Sequence, residues 1–207
     1  MPDLVDARAP DRARLPPGQI VTRKWPVLHA GTVPKVDLAR WRFTVNGAVD
    51  QPFSITWDEL QALPRRQTAC DIHCVTRWSR YDNLFDGVPV QLLLLRARVK
   101  PQAGYALVHA EQGYSTNLPL SDLDPPENLV ALSHDGEALT PEHGGPVRLL
   151  VPHLYLWKSA KWVGGIECLE EDVPGFWEEN GYHMRGDPWQ EERYGRPDPA
   201  RMRRDPR

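Results

Sequence analysis

The sequence lacks the features that mark several large classes of protein. No run approaches eighteen apolar residues, and the most apolar stretch, 87–95, has the length of a core segment, so we expect no membrane span. The formal net charge is only −3, which gives no large field of one sign and argues against nucleic-acid binding as the main function. Neither GxGxxG nor GxxxxGK(S/T) occurs, so dinucleotide and P-loop nucleotide binding lack their sequence signal.

Cysteine is scarce as well. The chain has three cysteines, an odd number, so they do not make a disulfide framework, and we expect thiols kept reduced by the compartment. The N-terminal region contains neither an apolar h-region nor a small-residue cleavage site. We therefore expect a cytoplasmic protein.

The length of 207 residues and the hydrophobic content of 41% predict one domain with loose ends. We place this domain at 20–184, between a flexible N-terminal arm at 1–19 and a charged C-terminal tail at 185–207. Both terminal segments are rich in proline and charge and poor in aliphatic residues, so they cannot bury enough surface to fold alone. They either lie along the domain or stay mobile.

The pattern within the domain predicts an α+β fold with more strand than helix. The chain contains 21 prolines, and most of them divide the domain into short segments, which favours strands and loops over long helices. Residues 41–49 alternate as a strand does around Asn46 and Gly47, and this pattern predicts a hairpin that turns at these two residues.

Two helices and several further strands are also predicted. Residues 55–63 predict a short helix capped by Thr56 and Glu59, and residues 86–99 predict a turn followed by an apolar helix. Strands are predicted at 105–110, 129–134, 147–152 and 161–171, the last with a kink at Gly164-Gly165.

The stretch TACDIHCVTRWSR, residues 68–80, contains the most unusual chemistry. Cys70, His73 and Cys74 supply at most three zinc ligands, whereas a structural zinc site needs four. Their C-x-x-x-C spacing also departs from the C-x-x-C of redox pairs. Free cysteines are most often small buried hydrophobic residues, and we expect this for Cys70 and Cys168.

Cys74 has a different setting, because basic residues follow it at 77 and 80 and His73 adjoins it. Such a setting favours a thiolate, which is either a nucleophile or a ligand for a soft metal. The segment CVTRWSR, followed by FDGVPVQLLL, resembles the cysteine segment of the sulfite oxidase and YedY/MsrP-type molybdoenzymes. The resemblance extends over residues 20 to about 183 and implies that Cys74 is the thiolate ligand to molybdenum.

Two further motifs of the resemblance imply residues that act on the substrate. VTRKWPVLHAGTVP resembles the family's arginine loop, which implies that Arg23 is the active-site arginine, although Lys24 and Trp25 depart from the family's Asn-His pair. FWEENGY resembles the segment that carries the family's active-site tyrosine and implies this role for Tyr182.

Two other motifs concern cofactor binding. HGGPVRLLVP resembles a family motif that implies cofactor contacts for His143 and Arg148, and WKSAKWVGGIE implies a pterin phosphate site at Ser159, Ala160 and Lys161. A phosphate dianion requires Lys or Arg together with hydroxyl and backbone N–H donors, so the residue types agree with the implied role.

The resemblance implies a molybdopterin-binding fold and a molybdenum-cofactor oxidoreductase. Its chemistry is oxo transfer to or from a small sulfur- or nitrogen-containing molecule. No C-x-x-C-H motif is present, so we expect no haem and a separate electron-transfer partner. The alternative is a non-catalytic metal- or molybdopterin-binding protein with zinc at Cys70, His73 and Cys74.

Overall fold

Two β-sheets and a few short helices make up residues 11–195, the part of the chain that this computed structural model describes. The predicted strand-rich α+β class is confirmed. None of the helices in this part has both the length and the apolar sequence that a bilayer crossing requires.

The elements are short, as the many prolines predict. In chain order the strands are β1 (Ile20–Val21), β2 (Arg42–Gly47), β3 (Phe53–Thr56), β4 (Arg66–His73), β5 (Trp78–Pro89), β6 (Tyr105–Ala110), β7 (Ser115–Pro119), β8 (Leu129–His134), β9 (Glu137–Ala138), β10 (Arg148–Leu150) and β11 (Val163–Leu169). The α-helices are α1 (Trp57–Gln61), α2 (Val90–Ala97), α3 (Leu120–Leu123) and α4 (Phe176–Glu179). Single 3₁₀ turns lie at Arg12–Arg14, Glu111–Gly113, Pro141–His143 and Pro188–Gln190.

The first sheet has the order β1-β5-β8-β10, with β4 also paired to β5 and β9 to β8. The second sheet has the order β3-β2-β11-β6-β7. Only the β1–β5 and β2–β11 pairs are parallel among these strand pairs. One hydrophobic core joins the two sheets, since it contains Val88 and Leu149 of the first, Phe43 and Ile166 of the second, and Leu93 of α2.

Local sequence signals predict several elements correctly. At the start of α1, the Glu59 N–H donates to Thr56 Oγ1 at 3.2 Å and the Thr56 N–H donates to Glu59 Oε2 at 2.7 Å, which is the predicted capping box. The apolar helix α2 forms, and β6 and β8 have the predicted bounds. The predicted kink in β11 is a shift of register between Val163 and Gly165.

The predicted turn at Asn46 and Gly47 is wrong. Strand β2 continues through both residues, because they pair in parallel with β11. The antiparallel partner strand begins only at Phe53, so the hairpin has a longer connection than the Asn-Gly signal predicts. Pairing with β11, a strand that lies far along the chain, thus outweighs the local turn propensity of Asn46 and Gly47.

The predicted turn at Asp86 and Gly87 is also wrong. Both residues lie within β5, and the register of β5 against β8 shifts between them, as in a β-bulge. A Cβ atom on Gly87 would lie 2.3 Å from the carbonyl oxygen of Val130. The glycine therefore permits close approach of two backbones rather than a reversal of the chain.

The predicted arm and tail are described only in part, because residues 1–10 and 196–207 lie outside the described residues. Of the two alternatives, the described parts lie along the domain. Arg14 Nε donates to Asp71 Oδ2 at 2.8 Å, which attaches the N-terminal segment to β4. From the C-terminal segment, Arg193 donates at 2.6 Å to a carbonyl oxygen in the loop after β4.

The bulge in β5 predicts a position-specific effect of adding one methyl group. We expect Gly87→Ala to lower the free energy of unfolding by about 1–3 kcal/mol, because the new Cβ overlaps backbone atoms that cannot move aside. Urea denaturation followed by circular dichroism measures the change. Gly104→Ala is the control, since its Cβ would meet its nearest atom at 3.7 Å. Equal stability of the two variants would contradict the close backbone approach that we assign to Gly87.

Candidate active site

A cavity of about 450 Å³ gathers most of the predicted site residues. This volume is typical of small-molecule sites. The predicted residues that line it are Cys74, Arg148, Ser159, Ala160, Lys161 and Tyr182, whereas Arg23 and His143 are not among the lining residues. The cavity lies at the junction of the two sheets, because Arg148 of β10 forms an antiparallel bridge with Lys161, which lies just before β11.

Cys74 lies in the tight loop that joins β4 to β5. The Cys74 N–H donates to the carbonyl oxygen of Trp78 at 2.8 Å, and the Arg77 N–H donates to the carbonyl oxygen of Cys74 at 3.0 Å. The sulfur lies 3.1 Å from Thr76 Oγ1. These backbone hydrogen bonds fix the position of the sulfur atom at the cavity wall. Cys74 is nearly buried there, with 7% of its surface exposed.

Burial raises the pKa of the Cys74 thiol, and the contact with the Thr76 hydroxyl and the positive charges of Arg193 and Lys161 oppose this effect in part. The net direction is upward, so without a metal the side chain is a thiol at neutral pH. The sequence predicted that Arg77 and Arg80 would favour a thiolate. The cations that act on Cys74 are instead Arg193 and Lys161, which lie far along the chain.

Arg148 is a buried cation, with 2% of its surface exposed. It donates to the carbonyl oxygens of His143 and Ser159, each at 2.9 Å. Burial lowers the pKa of Arg148 to about 10, so the guanidinium remains charged at neutral pH. Within residues 11–195 it forms no ion pair with a carboxylate, and a buried charge without a counter-ion is costly.

Lys161 is a second cation beside the first. Its ammonium donates to the carbonyl oxygens of Leu28 at 2.8 Å and Glu142 at 2.6 Å. Burial and the charge of Arg148 lower the pKa of Lys161 to about 8. In the described part of the chain Lys161 likewise forms no ion pair with a carboxylate. Two neighbouring cations on a cavity wall make a site for an anion, to which the Ser159 hydroxyl adds a polar group.

Aromatic rings form another wall of the cavity. The rings of Trp177 and Tyr182 stack, with centroids 4.9 Å apart and an interplanar angle of 18°. The Trp157 ring packs against Tyr182 at 5.1 Å. Burial raises the pKa of Tyr182, so its phenol keeps its proton and can donate a hydrogen bond near the Cys74 sulfur. The site therefore combines a thiol, an anion-binding wall and a flat apolar wall.

The family model described as the oxidoreductase molybdopterin binding domain matches residues 30–177. The chain belongs to this molybdopterin-binding family. The match covers the cysteine loop, both cations and the segment between them, so the residues that line the cavity come largely from the matched region.

Relatives of this molybdopterin-binding domain agree with the assignment. The oxidoreductase YuiH of Bacillus subtilis is 52% identical over 182 residues, which cover 87% of this chain and 92% of YuiH. A putative protein-methionine-sulfoxide reductase subunit, YedZ1 of Azospira oryzae, is 29% identical over 82% of this chain and 66% of its own length.

A solved structure shares the fold. The sulfane dehydrogenase SoxCD from Paracoccus pantotrophus superposes with a TM-score of 0.64 and 23% identity, over 69% of this chain and 41% of the SoxCD chain. Together with the family match, this similarity confirms the predicted molybdopterin-binding fold of the sulfite oxidase superfamily.

The cavity residues fit molybdopterin. Within residues 11–195, buried Arg148 and partly buried Lys161 have no carboxylate partner and suit its terminal phosphate. The aromatic wall suits a flat ring system, and the Cys74 thiol offers the soft sulfur that molybdenum favours. The donor set of the cavity thus agrees with the family.

His143 and Arg23 lie away from the cavity lining. The His143 ring stacks on Trp25 at 4.1 Å between centroids, and its Nε2 donates to the Trp25 carbonyl oxygen at 3.1 Å. The His143 carbonyl oxygen accepts a hydrogen bond from Arg148. His143 therefore helps to position the Arg148 guanidinium without lining the cavity itself. Arg23 is exposed, and its carbonyl oxygen accepts a hydrogen bond from Arg80 at 3.4 Å.

Sequence reasoning missed a buried ion pair behind the aromatic wall. Lys158 Nζ lies 2.6 Å from Glu178 Oε1, and both side chains are fully buried. Trp157 Nε1 donates to the same oxygen at 2.7 Å, so the pair fixes the orientation of the indole. Lys158 and Lys161 are three residues apart, and no local pattern distinguishes the buried structural lysine from the one that lines the cavity.

The zinc alternative is not supported. Among residues 11–195, no three His, Cys, Asp or Glu side chains are arranged to hold a metal ion. Cys70 packs against a cluster that contains Phe85, whereas Cys74 packs with Tyr155 in a different cluster. Burial lowers the pKa of His73 to about 4, and its Nδ1 lies 2.8 Å from the Ser79 hydroxyl.

The lowered pKa of Lys161 predicts a pH dependence of anion binding. The cofactor-free protein has the charged ammonium below about pH 8 and loses it above this value. We expect the affinity for sulfate, whose own charge is constant in this range, to fall above pH 8 by up to about tenfold per pH unit. Isothermal titration calorimetry from pH 6.5 to about 9.5 measures it. Lys161→Arg is the control, because an arginine keeps its charge; the same decline in that variant would refute the assignment.

Proposed function

We propose that this protein is a molybdenum-molybdopterin-dependent oxidoreductase of the sulfite oxidase type, which transfers an oxo group to or from a small sulfur- or nitrogen-containing substrate. The observation that carries the proposal is that one cavity is lined by the Cys74 thiol and by Arg148 and Lys161, two cations that form no ion pair with a carboxylate among residues 11–195. When bound, the cofactor supplies the two-electron redox change and the oxo transfer.

We assign the residues of the cavity to two tasks. Cys74 is the protein ligand to molybdenum, since a thiolate is a soft ligand. Arg148 and Lys161 bind the pterin phosphate, and Ser159 and Ala160 lie between them in the same wall. The Ser159 hydroxyl accepts from the Val151 N–H at 2.9 Å and retains a proton that it can donate.

We assign Tyr182 to the substrate. Its phenol stays protonated, and it lies close enough to Cys74 for the thiol's charge state to act on it. A phenol O–H can donate to the oxygen of the substrate and stabilise negative charge that develops there. The sequence also predicts a catalytic role for Arg23, but this residue is exposed and outside the cavity lining, which favours Tyr182 as the donor.

The proposal includes partners outside the chain. We propose that a separate electron-transfer protein delivers or removes the electrons of the two-electron change that the cofactor supplies. The cytoplasmic location and the absence of haem stay predictions from the sequence.

The assignment of Cys74 predicts a selective loss of metal. We expect Cys74→Ser to lose bound molybdenum and turnover while the fold survives, because a hydroxyl is a hard ligand and mostly protonated. Elemental analysis, together with pterin fluorescence after acid release, measures occupancy. Cys70→Ser and Cys168→Ser are the matched controls and should keep the metal. Normal activity and full molybdenum content in Cys74→Ser would overturn the assignment.

A comparison of Tyr182 with Arg23 tests which residue acts on the substrate. We expect Tyr182→Phe to lower kcat about tenfold or more at unchanged molybdenum content, because it deletes one donor to developing charge. We expect a smaller effect of Arg23→Ala. Steady-state kinetics on sulfoxide, N-oxide and sulfite substrates measure both. A larger loss of kcat in Arg23→Ala than in Tyr182→Phe would support the sequence-based role of Arg23 and contradict the assignment of Tyr182 as the donor.

A further inference from the structure

Both terminal segments of the described chain form hydrogen bonds with the loop that carries Cys74. Gln19 Nε2 donates to the Cys74 carbonyl oxygen at 3.0 Å, and Arg193 Nη1 donates to the Val75 carbonyl oxygen at 2.6 Å. Both side chains are buried, with 7% of Gln19 and 6% of Arg193 exposed. Gln19 and Arg193 lie outside residues 30–177, so the family pattern does not account for these contacts.

Arg193 also joins the two terminal segments to each other. Its Nη2 donates to the Pro17 carbonyl oxygen at 3.3 Å, and its guanidinium lies 5.0 Å from the centre of the Tyr155 ring. Its carboxylate neighbour, Glu191, lies 3.7 Å away with a half-exposed side chain. The positive charge is therefore only partly compensated, next to the residue that follows Cys74.

We propose that Gln19 and Arg193 form a clamp on the Cys74 loop, in which Arg193 is a positioning residue whose charge also favours the reduced state of a metal bound at Cys74. The two hydrogen bonds fix the consecutive carbonyl groups of Cys74 and Val75, and so they fix the direction of the sulfur. A cation close to a metal ligand stabilises the more electron-rich oxidation state. The part that concerns the metal rests on the proposed function.

Hydrogen exchange of the full-length protein tests the clamp without any metal. The amides of Cys74 and Arg77 form the hydrogen bonds of the loop. We expect Arg193→Met and Gln19→Leu to accelerate their exchange about tenfold, because each removes a buried hydrogen bond. Arg185→Met is the matched control, since Arg185 attaches the same C-terminal segment to Asp122 at 2.7 Å and does not touch the loop. Equal exchange in the clamp variants, the control and the wild type would overturn the clamp.

Arg193→Lys separates position from charge. Lysine keeps the charge but lacks the planar guanidinium whose two nitrogens donate to Val75 and Pro17. We therefore expect faster exchange of the loop amides with little change in melting temperature. If Arg193→Met does not fold, Arg193→Lys and Gln19→Leu decide the outcome, and wild-type exchange in both would refute the proposal.

A redox titration of the molybdenum-loaded protein, followed by electron paramagnetic resonance, tests the charge. We expect a lower midpoint potential in Arg193→Met and a value close to wild type in Arg193→Lys. Identical potentials in both variants would refute the electrostatic part. A wild-type protein purified without molybdenum from a host that makes the cofactor would refute the proposed function instead, and the exchange experiment would still decide the clamp.

Discussion

The like charges of Arg148 and Lys161 are the constraint on which the cavity depends. The two residues face each other across an antiparallel bridge, an arrangement that destabilises a protein unless an anion lies between or beside them. Burial adds to this cost, since it lowers the pKa of both groups. Carbonyl oxygens compensate the charges only in part. The folded chain thus carries an unfavourable local interaction that the phosphate of a cofactor would relieve.

The bridge also explains where the cavity forms. Arg148 belongs to β10 of the first sheet and Lys161 leads into β11 of the second, so the anion site lies where the sheets meet. The Cys74 loop extends from β4 and β5 of the first sheet towards the same cavity. Behind the aromatic wall, the buried pair of Lys158 and Glu178 keeps one indole in place. Rigid elements therefore hold the thiol and the cations at fixed positions, as a preorganised site requires.

Much of the cavity lining could be predicted from sequence, because motif resemblance identifies residues whose neighbours along the chain are characteristic. Cys74, Arg148, Lys161 and Tyr182 all reach the cavity. Arg193 was assigned to a tail, although it is buried against the cysteine loop. Its hydrogen bonds to Val75 and Pro17 join positions more than a hundred residues apart, and no short pattern in the sequence contains that information.

The sequence by itself determined the family, the strand-rich class and those elements that depend on neighbours within a few residues, such as the capping box of Thr56 and Glu59. The tertiary structure alone decided the features that depend on distant partners. Pairing with β11 extends β2 through Gly47, and close approach of β8 converts Gly87 from a predicted turn into a bulge. Turn propensities are weak and local, whereas a buried strand must satisfy its backbone hydrogen bonds, so the long-range pairing prevails.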